Sequence, residues 1–334
     1  MFIGCDGAQD GIRPSAGRGN RELLSVDFRQ DKVLRYRFIS SRQIEVDFGP
    51  TRSKSESVIQ VINEKMQLVF AYKPFEVDSY GLASVQATCE SAQVERTSFS
   101  PHKGRQRDAV EALKGRSFKL QVSPSGMLTD KSQLRQLIGE LGEEAFDKGK
   151  RRIKNPDMIF DFIATQWFLW DSTSSIERPS EGVAVGDSWD SRLLTPLPMP
   201  MPAERKVVYR LDEVRPAGGG QTGRVAVIKS SYSAADSLSG DWPMPYGGRF
   251  RMRGMFGFFQ GYKILGLSGE GTELFNIDAG VIEQADQQYV VEIDAVIPFG
   301  LGDSQDQQPK PNITIKQQIT MQLLNKKILS PDPD

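Results

Sequence analysis

Histidine, cysteine and paired carboxylates carry most hydrolytic and metal chemistry, and this chain is short of the first two. It has one histidine, His102, and two cysteines, Cys5 and Cys89. A zinc site takes three or four Cys, His or carboxylate ligands, and neither CxxC nor HxxxH spacing occurs. A Ser-His-Asp or Cys-His mechanism would have to run through His102. That residue sits in Ser100-Pro101-His102-Lys103-Gly104, with Arg105 and Arg107 close by, which reads as an exposed loop. Cys89 lies on the apolar side of the alternating run Ala83–Glu90 and reads as a small buried hydrophobe.

Carboxylates alone are enough for glycoside hydrolysis. Asp157 and Asp161 share a helix face at i, i+4, although Asp157 reads better as a first-turn acid. Asp236, Asp241 and Glu270 lie in glycine-rich surroundings near Trp242 and Tyr246. They carry the alternative functional reading, a carboxylate-dependent hydrolase of an envelope polysaccharide. Gly269-Glu270-Gly271 has the look of a dinucleotide loop, but Glu273–Ile277 then alternates like a strand and supplies no helix N-terminus for a pyrophosphate. No catalytic residue, cofactor or metal is assigned.

Binding surfaces are the better prospect. The formal net charge is −1, and the one basic run (Lys148, Lys150, Arg151, Arg152, Lys154) has no interleaved aromatics, so no nucleic-acid partner is expected. Met158–Trp170 is apolar nearly all round, which predicts a helix buried on more than one side in the concavity of a curved sheet. Pro196, Pro198, Pro200 and Pro202 alternate with Leu197, Met199 and Met201, an extended strap suited to packing in an apolar groove. Gly254–Gly271 mixes glycines with Phe256, Phe258, Phe259 and Tyr262, a composition for strongly bent strands or a pocket wall. Trp167, Trp170, Met199, Met201, Trp242, Tyr246, Phe256, Phe258, Phe259 and Tyr262 are the groove candidates.

The elements that must position these residues are mostly strands. Leu34, Tyr36 and Phe38 alternate with arginines, and Ile44, Val46 and Phe48 with acids. The habit continues through Met66–Phe70, Phe118–Val122, Val207–Leu211, Tyr289–Ile297 and Ile313–Leu323. One apolar and one wet face per strand is the mark of antiparallel sheets covered on one side. Two helix starts interrupt the pattern, at Asp130-Lys131-Ser132-Gln133 and Asn155-Pro156-Asp157. Segments pair between the halves: Leu34–Phe38 with Val207–Leu211, Gly81–Val85 with Gly223–Val227, and Gly115–Leu128 with Gly271–Ile282. The fold class is therefore mainly β (α+β): two related curved antiparallel sheets, half-barrel-like, with a helical segment between and packed on them. The divisions fall at 1–24 (tether), 25–146 (first β-lobe, ending in a helix), 147–180 (helical connector) and 181–334 (second β-lobe).

Met1-Phe2-Ile3-Gly4-Cys5 looks like the tail of a bacterial lipoprotein signal, followed by a polar glycine-rich tether. Cys5 is the lipidation candidate. No charged n-region or apolar core precedes it, so either translation starts upstream of Met1 or the likeness is accidental. Ile153–Ile159, Gln166–Trp170, Val185–Trp189 and Glu273–Asp278 together resemble a bacterial domain-of-unknown-function family, the one numbered 6263. That resemblance implies an exported or lipid-anchored β-rich protein and supplies no activity. The expectation is a non-catalytic binding or scaffolding protein of the cell envelope. Its apolar groove would take a lipid or protein partner, and a lipid anchor would be its only membrane contact. The alternative location is the cytoplasm.

Overall fold

The computed structural model describes residues 20–51, 54–97, 108–146, 149, 151–153, 157–198, 203–218, 223–235, 242–246, 250–252, 261–296 and 311–324. The first part of the chain forms β1 (Arg21–Glu22), β2 (Leu34–Thr51), β3 (Lys54–Val77), β4 (Ala83–Arg96), β5 (Ser117–Val122) and β6 (Leu128–Asp130). Then come α1 (Ser132–Ala145), β7 (Arg152–Ile153), α2 (Ile159–Trp167), α3 (Asp171–Ser174) and β8 (Val183–Ala184). The last part holds β9 (Ser188–Thr195), β10 (Ala203–Pro216), β11 (Arg224–Ala234), β12 (Arg251–Met252), β13 (Gly261–Asn276), β14 (Val281–Val296) and β15 (Asn312–Leu323).

The fold is mainly β, as the alternation predicts, but the two strand sets are not separate sheets. They form one antiparallel sheet of eleven strands in the order β6-β5-β4-β3-β2-β15-β14-β13-β11-β10-β9. The seam is β2 against β15, paired continuously from Asp47↔Asn312 to Tyr36↔Leu323. The chain meanders outward from β2 to one edge at β6. It then crosses the sheet through the helices and meanders back from the opposite edge at β9 to the seam. This path dictates where the helices lie, because the crossover must run over one face.

That face is the apolar one. Tyr36, Phe38, Met66, Leu68, Phe70, Tyr72 and Phe118 are buried on it. α2 lies over β2 and β3: Phe162 stacks on Phe70 with centroids 6.0 Å apart, and the Tyr72 hydroxyl donates to Gln166 at 2.5 Å. α3 lies over the other half, where Ser172 donates to Glu273 on β13 at 2.5 Å and Trp189 on β9 donates to the Ser172 carbonyl at 2.8 Å. The expected single helix to Trp170 is thus broken after Trp167, and the turn at 168–170 redirects the chain from one half of the sheet to the other.

α1 begins where expected, but its capping box does not form. Asp130 accepts from the Ser132 N–H at 2.9 Å, while the Gln133 side chain caps the backbone N–H of Lys119 on β5 instead. Gly142 on α1 lets the 242–246 segment cross close by, since a Cβ there would collide with the Pro245 carbonyl. The glycine-rich strand β13 carries register shifts at Ile264/Gly266 and Leu274/Phe275, in keeping with its bent-strand composition.

Candidate functional site

Three of the groove candidates meet. Trp167, Trp170 and Trp242 line one recess of about 200 Å³ together with Met127, Lys131, Phe168, Asp171, Arg192 and Leu194. α2 and its following turn supply two tryptophans, β6 and the start of α1 supply Met127 to Lys131, and β9 supplies Arg192 and Leu194. Trp242 lies nearly parallel to Phe160 and to Phe168 (5° and 7°), with centroids 6.4 and 6.1 Å away. The face of Trp167 carries the Lys131 ammonium 3.9 Å from its centroid, with the Arg135 guanidinium at 5.2 Å. Trp170 meets Phe28 and Tyr72 edge-on at 5.6 and 6.1 Å.

The other candidates separate. Tyr246 is buried among Phe146, Phe160 and Phe250, and burial next to Asp157 and Asp108 pushes its phenol well up. Tyr262 is half-buried on β13, and burial pushes it up to about 12. Cys5, Met199, Met201, Phe256, Phe258 and Phe259 lie outside the described residues, as do His102, Asp236, Asp241, Lys148, Lys150 and Lys154. Cys89 is buried, and desolvation raises its thiol to about 12, so it packs as a small hydrophobe. Asp157 is not a first-turn acid: it precedes α2 and is buried beside Asp108, which together with burial holds its carboxyl well above the usual range.

A polar belt crosses the covered face of the sheet. In register across six strands lie Arg96, Glu64, Arg42, Gln317, Tyr289 and Gly269. Arg42 binds Glu64 Oε2 through Nε (2.8 Å) and Nη2 (2.5 Å), and Asp161 Oδ1 through Nη1 (2.8 Å). Asp161 also accepts from Gln317 Nε2 at 2.7 Å and from the Ser40 hydroxyl. Arg96 continues the chain of charges to Glu64 (3.0 Å) and Asp108. Burial works against the Arg42 charge, but Asp161 and Glu64 outweigh it, and the guanidinium holds its proton more firmly than usual.

Farther along the same face, Asp171 accepts from Tyr209 (2.7 Å) and Ser191 (2.9 Å), and burial raises its carboxyl to about 6. Burial raises Glu273 to about 7 against the pull of Ser172. Among the described residues no group of three His, Cys, Asp or Glu is arranged to hold a metal ion, and no helix is long and apolar enough to cross a membrane.

The opposite face carries a trough of about 1140 Å³ across the seam. Its exposed lining is polar: Asn63, Lys65, Glu95, Glu270, Lys316 and Gln318. Glu270, the hydrolase candidate, lies here and accepts from Gln288 Nε2 at 2.8 Å.

No family model matches the sequence, and no curated protein matches it. Among solved structures the chain is similar to one described as "lipid-protein interactions in lipovitellin", with a TM-score of 0.40 and 9% identity. The alignment covers 90% of this chain and 26% of that one. At that TM-score the likeness carries no argument about fold or ligand.

Proposed function

We propose that this chain is a non-catalytic binding module of the bacterial cell envelope that anchors a partner through the Trp167–Trp170–Trp242 recess. The observation that supports it is the convergence of three tryptophans from two distant segments on one opening, rimmed by the exposed Met127. Pockets for whole small molecules run to roughly 300–1000 Å³. At about 200 Å³ the recess suits one inserted apolar group, such as the anchoring side chain of a protein or the end of an acyl chain. The helices already cover the apolar face of the sheet, so a whole lipid would have to displace them. The envelope location draws on the Met1–Cys5 pattern and on the resemblance to the bacterial family numbered 6263.

Native mass spectrometry and tryptophan emission of the full chain, exposed to phospholipid vesicles and to envelope extract, test the reading. A discrete adduct and an emission shift, both lost in Trp242→Ala, are expected. Unchanged mass and emission under both exposures would remove the recess as a site.

The trough favours a second reading. Its size and polar lining suit an extended polar polymer, and Glu270 would be one carboxylate of a hydrolase acting there. Release of reducing ends from a glycan panel, abolished by Glu270→Gln, is the result that reading requires. No turnover by the parent protein ends it.

A further inference from the structure

Asp157 precedes α2 at a corner where β3, β4, the turn Ala109–Leu113 and the 242–246 segment come together. The charges of this corner do not balance. Two guanidiniums, Arg42 and Arg96, face four buried carboxyls, Glu64, Asp108, Asp157 and Asp161. Arg42 is taken up by Glu64 and Asp161. Both ion pairs of Arg96 go to Glu64 and Asp108, and none to Asp157. Asp108 also accepts from the N–H groups of Val110 (2.9 Å) and Met158 (3.4 Å), while Glu111 on the same turn accepts from the Asp108 N–H.

Asp157 is left with neutral partners. They are the Ala109 N–H and the Tyr246 phenol, and its Oδ2 has none. Burial first, then Asp108, hold its carboxyl well above the usual range, with Glu64 adding to that push and Arg96 opposing it. A carboxylate would accept from the phenol more strongly than a carboxyl does. That single gain stands against a buried charge without a counterion and with two like charges beside it.

The part of the corner with least to hold it is the 242–246 segment. Pro243 and Pro245 have no N–H to give, and among the described residues no main-chain hydrogen bond ties the segment to the rest of the chain. Packing seats it instead: Pro245 against Gly142 on α1, Tyr246 among Phe146, Phe160 and Phe250, and Trp242 along Phe160 and Phe168. A segment attached in this way opens before the sheet does.

We propose that Asp157 is a proton-operated latch: its neutral carboxyl keeps the 242–246 segment seated on α1 and α2, and loss of the proton releases it. Release carries Trp242 away and so withdraws one wall of the tryptophan recess. That consequence rests on the recess being a site, whereas the latch itself does not.

The test is fluorine NMR of the full chain labelled with 5-fluorotryptophan, titrated from about pH 5 to 10. The chain has four tryptophans, and Trp242→Phe assigns the resonance of interest. The Trp242 resonance should move toward the position of free indole, the released population growing about tenfold per pH unit as the loss of one proton requires. Trp189, held by the Ser172 carbonyl, should stay in place. In Asp157→Asn, which fixes the neutral form, the Trp242 resonance should not move. The wild-type titration decides even if Asp157→Asn fails to fold. A Trp242 resonance that does not titrate, one that moves only together with Trp189, or the same titration in Asp157→Asn would overturn the proposal.

Discussion

Arg42 and Arg205 sit on the same covered face of one sheet, in different halves, and are buried to nearly the same extent, 2% and 3% exposed. Arg42 is locked by Glu64 and Asp161, whose remaining oxygens are held in turn by Arg96, Gln317 and Ser40. Arg205 has two tyrosine rings and one amide oxygen. Equal burial thus conceals opposite electrostatics. The first arginine joins β2, β3 and α2 into one unit, and the second is held against two tyrosine rings, with Asp171 near enough to feel its charge.

The largest expected effect comes from breaking the closed pattern. Arg42→Met strands Asp161 in the interior and leaves Glu64 to Arg96 alone, and should cost about 3–5 kcal/mol, read from the urea midpoint at constant slope. If it costs under about 1 kcal/mol, the belt is not an electrostatic lock. Restoring neutrality with Asp161→Asn in the same chain should recover part of the loss, and a double-mutant cycle measures how much.

Next in size is the response to pH. Asp171 and Glu273 titrate near 6 and 7 when folded, against about 4 when unfolded. Between those values the folded state binds more protons than the unfolded chain. Their contribution is therefore greatest below about pH 4, falls as pH rises through 6 and 7, and is level above. Each group carries at most on the order of 3 kcal/mol of that fall. Denaturation midpoints from pH 4 to 8 measure it, and Glu273→Gln should flatten the upper part. A Glu273→Gln curve parallel to the wild type would show that this carboxyl titrates normally.

Arg205→Met should cost less than Arg42→Met, on the order of 2 kcal/mol, because Asp171 loses a nearby positive charge but keeps its bonds from Tyr209 and Ser191. A loss as large as that of Arg42→Met would mean that Arg205 is paired as firmly as Arg42. The smallest effect is expected at Gly271→Ala, whose Cβ would meet the Ser230 and Tyr232 hydroxyls at 2.5 Å and the Asp286 carbonyl at 2.9 Å and which should cost about 1–2 kcal/mol by chemical denaturation.

Much of this architecture is legible in the sequence because a half-covered antiparallel sheet writes its burial with a period of two. The belt is legible too, though it takes attention to parity. Ser40 and Arg42 stand at inward positions between Phe38 and Ile44, and Gln317 stands on the apolar side of the last strand. Arg205 has the same parity as Val207, Tyr209 and Leu211, but Glu204-Arg205-Lys206 reads locally as a solvated strand end.

The seam was not legible, because β2 and β15 pair over a separation that no local pattern encodes. The same holds for the recess. Aromatic composition marked Trp167, Trp170 and Trp242, but only the crossover brings them beside Met127 and Arg192.

The seam also sets the order of events during synthesis. Lys316 on β15 bonds Glu45 on β2 across 271 residues, so the long inner edge of β2 has no partner until β15 has been made. Until then the first half presents an open strand edge able to pair with any other extended chain. Folding should therefore be slow for the size of the protein. The period of greatest exposure to misassembly falls on the nascent chain, before the last strand closes the gap.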